Sequence, residues 1–231
     1  IIHSGAVTVN GEVQKIDDLH IKLKEDEICV DGEKLEIPQD AYFVINKPAG
    51  YVCSMVSDSH PVLFELLKDE DKNKKYPSGN LSMVGRLDCD TEGLLIITSD
   101  GDMNHRLTSP KWQIEKEYLV FLRDKLDEKT RKYYEDELSK GIMLPAEGKH
   151  EEEQAKPCKI IWQDETKYES KPEAVCHIIL TEGKFHEVKR IFMAFGNEVV
   201  YLKRIRMNKL LLGNDLKSGE YRPLTEEEKS N

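Results

Sequence analysis

Nowhere in the 231 residues does an apolar run approach the roughly 20 residues that cross a bilayer, and no signal-peptide pattern opens the sequence. The expectation is a soluble protein with no membrane partner. Paired cysteines are missing too. The five present, Cys29, Cys53, Cys89, Cys158 and Cys176, are odd in number, widely spaced and never arranged as CxxC. That pattern argues against a disulfide framework or a zinc site and predicts a reducing, cytoplasmic compartment. Cys89 has no activating signature beside it and reads as a spacer rather than a nucleophile. Also absent are GxGxxG, the Walker phosphate loop, a regular strand–helix–strand repeat and any cluster of metal ligands. A nucleotide-cofactor fold and a metal site have no support in the sequence, and no cofactor is expected.

Negative charge is in excess, with 34 basic against 44 acidic residues and a formal net charge of −10. An average of that sign argues against a nucleic-acid partner, yet it conceals one basic stretch. Residues 184–209 carry Lys184, Lys189, Arg190, Lys203, Arg204, Arg206 and Lys209 against Glu187 and Glu198, so seven minus two leaves +5. Such a segment can grip a chosen RNA site while the acidic remainder keeps non-specific binding weak. A solvated basic helix face is the plain alternative.

Composition shifts near Pro38. Before it, short alternating segments punctuated by Asn10-Gly11 and Asp31-Gly32 predict the hairpins of a small β-rich module over residues 1–40. The chain begins IIHSGAV with no methionine, and a preceding helical piece is expected to be missing. Residues 41–231 suffice for one catalytic-sized domain. Within it AYFVINKP reads as a strand stopped by Pro48, GYVCSMVS as a further short apolar segment, and 69–80 as a polar loop. VGRLD and GLLIITSD read as buried segments flanking a turn, and Asp100 with its neighbours can cap a short helix through Leu107. Further strands are predicted at EKEYLVFLR, PCKIIWQD and EAVCHIILTEG, with helices at LDEKTRKYYEDELSKGI and HEVKRIFMAFG. Hairpins and helices in this mixed order predict an α+β fold with a mixed sheet.

The segment GRLDCDTEGLLIITSDG, residues 85–101, sets two carboxylates ahead of an apolar run. Asp88 leaves the apolar segment at its mouth, where a rigid scaffold presents functional groups. A cap or a surface ion pair is its other reading. Asp90-Thr91, just before Gly93, has the character of residues that bond backbone amides at a turn, so Asp90 reads as structural. Arg86 shares a face with Asp88 if the backbone is extended, and could either pair with it or bind phosphate.

This segment resembles the signature of the RsuA-type RNA pseudouridine synthases. INKPAGYVCS, HRLTSP, EKEYLV, EGKFHEVKRIFMAFGNEVVYLKRIRM and GEYRPLTEEE resemble further segments of that family in the expected order, from Tyr42 to Glu228. VTVNGE is similar to the later half of an S4 RNA-binding domain, which implies that residues 1–40 are a truncated S4-like module. The resemblance implies a mixed, mainly antiparallel sheet and an isomerase that breaks the N-glycosidic bond of a uridine in RNA and rejoins the base through carbon, without a cofactor. It implies Asp88 as nucleophile, Tyr118 as an active-site aromatic that stacks on the base with its hydroxyl near the site of proton removal, and Lys189 as the cation paired with Asp88. Arg190, one residue round the helix from Lys189, is then expected to face phosphate, with Arg86, Lys203, Arg204 and Arg206 as further RNA contacts.

In two places the chain departs from the family. Glu187 stands where relatives often carry Gln, and Arg206-Met207-Asn208 where Arg-Ile-Gly is common; Asn can take the left-handed conformation that Gly would. NKPAGYVCS, HRLTSP and GEYRPLTEEE are most similar to the enzymes that modify uridine 516 of 16S small-subunit rRNA. The implied partner is rRNA, within a small-subunit assembly intermediate, for a monomeric enzyme. Other readings are a synthase for 23S rRNA or tRNA, and a non-catalytic S4-type ribosome assembly factor. A carboxylate-dependent hydrolase would need a second essential acid at Asp90 or Asp100.

Overall fold

The computed structural model describes residues 1–22, 25–35 and 39–230, so Pro38 lies outside the described residues. Contacts divide the chain into two compact units, residues 1–39 and 40–231. The first unit is a four-stranded antiparallel sheet of β1 (Val7–Val9), β2 (Glu12–Gln14), β3 (Ile28–Val30) and β4 (Glu33–Lys34), in the order β2-β1-β3-β4. Its two hairpin turns have both central residues left-handed, Asn10 and Gly11 at φ 52° and 83°, Asp31 and Gly32 at φ 51° and 82°. Those angles match the right-handed twist of the strands they join, as the Asn-Gly and Asp-Gly pairs predict.

The second unit runs β5 (Tyr42–Lys47), α1 (Asp69–Lys72), β6 (Ser82–Met83), β7 (Glu92–Thr98), α2 (Gly101–Thr108), β8 (Lys116–Leu122), α3 (Glu128–Leu138), β9 (Met143–Leu144), β10 (Glu153–Gln154), β11 (Lys159–Trp162), β12 (Ala174–Leu180), α4 (Glu187–Ala194), β13 (Val199–Met207), β14 (Leu210–Leu211), β15 (Tyr221–Pro223) and α5 (Glu226–Lys229). Its main sheet has the order β11-β12-β8-β13-β7-β5-β15, with β14 on β13 and β6 on β7. All of these pairings are antiparallel except β13 with β7. The expected mixed, mainly antiparallel α+β architecture is present. No described helix is long and apolar enough to cross a membrane.

Strand β7 explains the run Leu94-Leu95-Ile96-Ile97. Leu94 and Ile96 pack with Met103 and Leu107 of α2, whereas Leu95 and Ile97 pack on the other face with Leu63, Leu67 and Tyr76. A strand covered on both faces is continuously apolar rather than alternating. Helices α3 and α4 cover the far half of the sheet through Tyr134, Leu138, Val188, Ile191 and Phe192. Asp100 caps α2 by accepting from the Met103 amide at 3.0 Å. The stretch 69–80 is not wholly a loop. Three acids, Asp69, Glu70 and Asp71, open the one-turn helix α1, where the helix dipole favours them, and Lys72 closes it 2.8 Å from Asp69. GYVCSMVS forms no strand, only a bridge from Val52 to Val62.

A single row of residues crosses the middle of this sheet. Strand register sets Lys47 opposite Gly93, Gly93 opposite Arg204, Arg204 opposite Tyr118 and Tyr118 opposite Ile178, across five adjacent strands. Residues in register share a face. At Gly93, φ is +105° and a Cβ would fall 2.2 Å from the Arg204 carbonyl oxygen, so only glycine lets β7 and β13 approach this closely.

Candidate active site

Asp88 ends an irregular segment in which Val84 and Leu87 are buried, Arg86 is exposed and Asp88 is half-buried. A turn follows, closed by the Thr91 amide donating to the Asp88 carbonyl at 3.1 Å, while the Gly50 amide donates to the Cys89 carbonyl at 2.8 Å. Beneath it lies Lys47, fully buried. Its ammonium donates to the carbonyls of Pro48 (3.0 Å), Cys89 (3.1 Å) and Thr91 (2.8 Å). Three donors meet three acceptors, which satisfies a cation that burial otherwise disfavours and whose pKa burial lowers. Sequence reasoning missed Lys47. Its signal was a lysine closing an otherwise apolar strand, a position where an unpaired charge is costly.

Lys189, in the first turn of α4, brings Nζ within 2.6 Å of Asp90 Oδ1 and 3.3 Å of Asp88 Oδ2. Burial acts to lower this ammonium, but the carboxylates of Asp90 and Asp88 outweigh it and raise its pKa. For Asp90 burial acts upward, and the Lys189 hydrogen bond prevails and holds the carboxyl below its ordinary value. The Asp90 carboxylate also lies in hydrogen-bonding reach of its own backbone amide, so the turn role expected of it is joined by an ion pair. Its side chain is 70% exposed and shares the Lys189 cation with Asp88.

Tyr118, on β8, is 8% exposed. Burial raises its pKa, against the pull of the Arg204 guanidinium within hydrogen-bonding reach. Arg204 itself is 1% exposed; its Nε donates to the Leu94 carbonyl at 2.7 Å, and its Nη2 has no hydrogen-bond partner among the described residues. Asp88, Tyr118 and Arg204 line a cavity of about 870 Å³, together with Arg86, Lys116, Lys149 and His186. Imidazole Nε2 of His186 is 3.8 Å from Asp88 Oδ1, a neighbour that the sequence reading did not single out.

The basic stretch is largely consumed by the fold, which corrects three expected RNA contacts. Arg190 is fully buried and turned inward, donating to the carbonyls of Pro145 (2.9 Å) and Glu151 (2.7 Å) and to the Glu153 carboxylate (2.7 Å). It therefore has no face for phosphate. Arg204 is a buried wall of the cavity, and Arg206 is bound to Glu117 at 2.7 Å and Glu115 at 2.9 Å. Counting charge along the chain omits acids delivered by other elements. Arg86 is exposed at the cavity, and Lys203 is half-buried in register with Glu92.

Glu187 does not face RNA either. It is 5% exposed and lines a recess of about 70 Å³ beside Asp88 and Tyr118. Burial, with the Glu182 carboxyl in hydrogen-bonding reach, raises its pKa to about 7, against the Lys184 amide donating at 2.9 Å. Asn208 is left-handed at φ 53°, as the departure from glycine allowed.

The model of the RNA pseudouridylate synthase family matches residues 41–194. An uncharacterized RNA pseudouridine synthase of Aquifex aeolicus is 40% identical over 230 residues, 99% of this chain and 86% of that protein. Ribosomal small subunit pseudouridine synthase A of Haemophilus influenzae is 38% identical over 98% of this chain and 88% of its own length. The Escherichia coli protein of the same name is 38% identical over 98% and 89%. A crystal structure of a pseudouridylate synthase superposes with a TM-score of 0.69 at 37% identity, covering 99% of this chain and 89% of that one.

Proposed function

This chain belongs to the RNA pseudouridylate synthase family, and on that premise we propose that it converts a uridine of small-subunit ribosomal RNA to pseudouridine with Asp88 as nucleophile. The observation that carries the reading is the convergence of Asp88 and Tyr118 on one cavity of ligand size, with the Lys189 ammonium 3.3 Å from Asp88. The target base, flipped from the RNA, stacks on the Tyr118 ring. Asp88 attacks the sugar C1′ or the ring C6, the glycosidic bond breaks, the retained uracil turns, and C5 joins C1′. The Lys189 ammonium balances the carboxylate between turnovers. Because atoms are only rearranged, the chemistry calls for no redox partner or phosphoryl donor.

The relatives named for the small subunit support that target, and uridine 516 of 16S rRNA is the position we assign within it. Residues 1–39 act as an S4-like RNA-binding module, and Arg86 and Lys203 contact the RNA. The enzyme works in the cytoplasm as a monomer on a small-subunit assembly intermediate. The test is to map pseudouridines in rRNA from cells lacking the gene and from cells complemented with wild type or Asp88→Asn. Loss of one small-subunit pseudouridine, restored by wild type and not by Asp88→Asn, is the expected result. A loss confined to large-subunit rRNA or tRNA moves the target, and no loss anywhere leaves a binding factor.

A further inference from the structure

Three stacked rings line one side of the cavity that holds Asp88. His186 lies against Phe185 with centroids 3.8 Å apart and planes 18° apart, and Phe185 lies against His150 at 3.8 Å and 11°. Two rings so close to one phenyl cannot share a face without overlapping, so the three form a column with Phe185 in the middle. Its inner end is fixed at the site. Nε2 of His186 is 3.8 Å from Asp88 Oδ1, and Nδ1 is 3.0 Å from Glu147 Oε1. Its outer end is His150, half-buried, with no second ring stacked on it among the described residues. A tight turn carries that histidine. Reciprocal 2.9 Å amide–carbonyl bonds between Glu147 and His150 close the turn, and Gly148 within it is left-handed at φ 58°. Arg190 ties the same segment to α4 through the carbonyls of Pro145 (2.9 Å) and Glu151 (2.7 Å), so the backbone sets the rings before any ligand arrives.

Phe185 keeps 38% of its surface exposed, at a cleft and not in the core. A column of flat rings ending at such a cleft is matched by another planar π-surface. In RNA that surface is an unpaired base, which proteins recognise by splaying it onto aromatic side chains, histidine included. Centroid steps of 3.8 Å also lie close to the roughly 3.4 Å rise of a stacked nucleic-acid strand, so a base laid on His150 continues the column at its own spacing. We propose that the outer face of His150, backed by Phe185, is a stacking platform for an unpaired base one or two nucleotides from the target uridine. Stacking and not charge carries the contact, because Glu147, Glu151 and Glu152 surround Lys149 and leave the turn without a positive excess. An imidazole stacks whether or not it is protonated. Holding the neighbouring base holds the strand, and the strand sets how far the target uridine reaches toward Asp88. His150 and Phe185 are then positioning residues that touch none of the reacting atoms. The inference rests on the chain being an RNA pseudouridine synthase that acts at Asp88, and is independent of which ribosomal subunit holds the target.

The test uses the full chain and a short RNA around the uridine whose modification is lost from cells lacking the gene. His150→Ala removes the platform, and His150→Phe keeps a flat ring in its place; neither removes the amide–carbonyl bonds that close the turn. In His150→Ala, KM is expected to rise about 5- to 100-fold, the share of one base–aromatic stack, with kcat at saturating RNA within about twofold of wild type. His150→Phe keeps KM within about threefold. The salt slope of binding stays at the wild-type value in both, since no phosphate contact is lost. Removing one base at a time from the two nucleotides on either side of the target then identifies the partner. At one position the abasic RNA weakens wild type by the same factor and costs His150→Ala nothing further, the non-additivity of two groups in contact, which a merely structural residue would not show. A wild-type KM in His150→Ala overturns the proposal, as do losses that multiply in full at every position, or a loss in His150→Phe as large as in His150→Ala. Asp88→Asn assayed alongside separates the two readings, since turnover by that variant would remove the nucleophile and not the platform.

Discussion

Glu187 is buried beside Asp88, and its carboxyl lies near that of Glu182. Burial of the Glu187 carboxyl, with Glu182 as a lesser cause, disfavours its charge, so Glu187 retains its proton to about pH 7. The unfolded chain releases that proton nearer 4.5, the ordinary value. Between those values the folded state binds more protons than the unfolded state, so stability falls as pH rises from about 4.5 to about 7 and then levels off. Glu187→Gln carries an amide that does not titrate in this range and abolishes that slope. In urea unfolding the variant should match wild type near pH 5 and exceed it at pH 8, by on the order of 2 kcal/mol. Equal pH slopes for the two proteins would mean that Glu187 holds no such proton.

Helix α4 carries two adjacent cations with opposite fates. Helical geometry turns neighbouring residues about 100° apart, so Lys189 reaches the carboxylates of the cavity while Arg190 points into the protein. Arg190 ties α4 to the segment 145–153 through two carbonyls and Glu153, and that segment includes the turn holding His186. Arg190→Met leaves Glu153 with Lys184 2.8 Å away and deprives the Pro145 and Glu151 carbonyls of the guanidinium. The expected cost is about 1–3 kcal/mol in denaturant unfolding, the range for leaving part-buried polar groups without their partner. The salt dependence of RNA binding should stay at the wild-type value, because Arg190 reaches no phosphate. A wild-type unfolding midpoint would show that this network contributes little.

Across the whole molecule, a net charge of −10 means that RNA is held by local cations against a repulsive background. Among the described residues lining the cavity, Arg86 is exposed and lies two residues from Asp88. Arg86→Met is expected to weaken RNA binding and to reduce the magnitude of the log-affinity against log-salt slope by about 0.7 to 0.9, the share of one phosphate contact. The unfolding midpoint should not move. An unchanged slope would remove Arg86 from the phosphate contacts.

Local chemistry determined a good deal of this protein. The Asn10-Gly11 and Asp31-Gly32 turns, the Asp100 cap, the apolar run of β7 and the helical spacing of α3 and α4 depend on interactions within a few residues, so they can be read along the chain. Asp88 as a candidate was legible because a carboxylate beside a buried strand is unusual in itself. Tertiary structure decided the partners. Register across five strands brought Lys47, Gly93, Arg204 and Tyr118 into one row, and β-strand propensities say nothing about which strands become neighbours. Whether a cation is free or spent depended on acids far away in sequence: Glu153 for Arg190, Glu115 and Glu117 for Arg206, Asp88 and Asp90 for Lys189. The +5 of residues 184–209 was a true property of the chain that folding largely neutralised, because a charge is satisfied by what lies within a few ångströms and not by its neighbours in sequence.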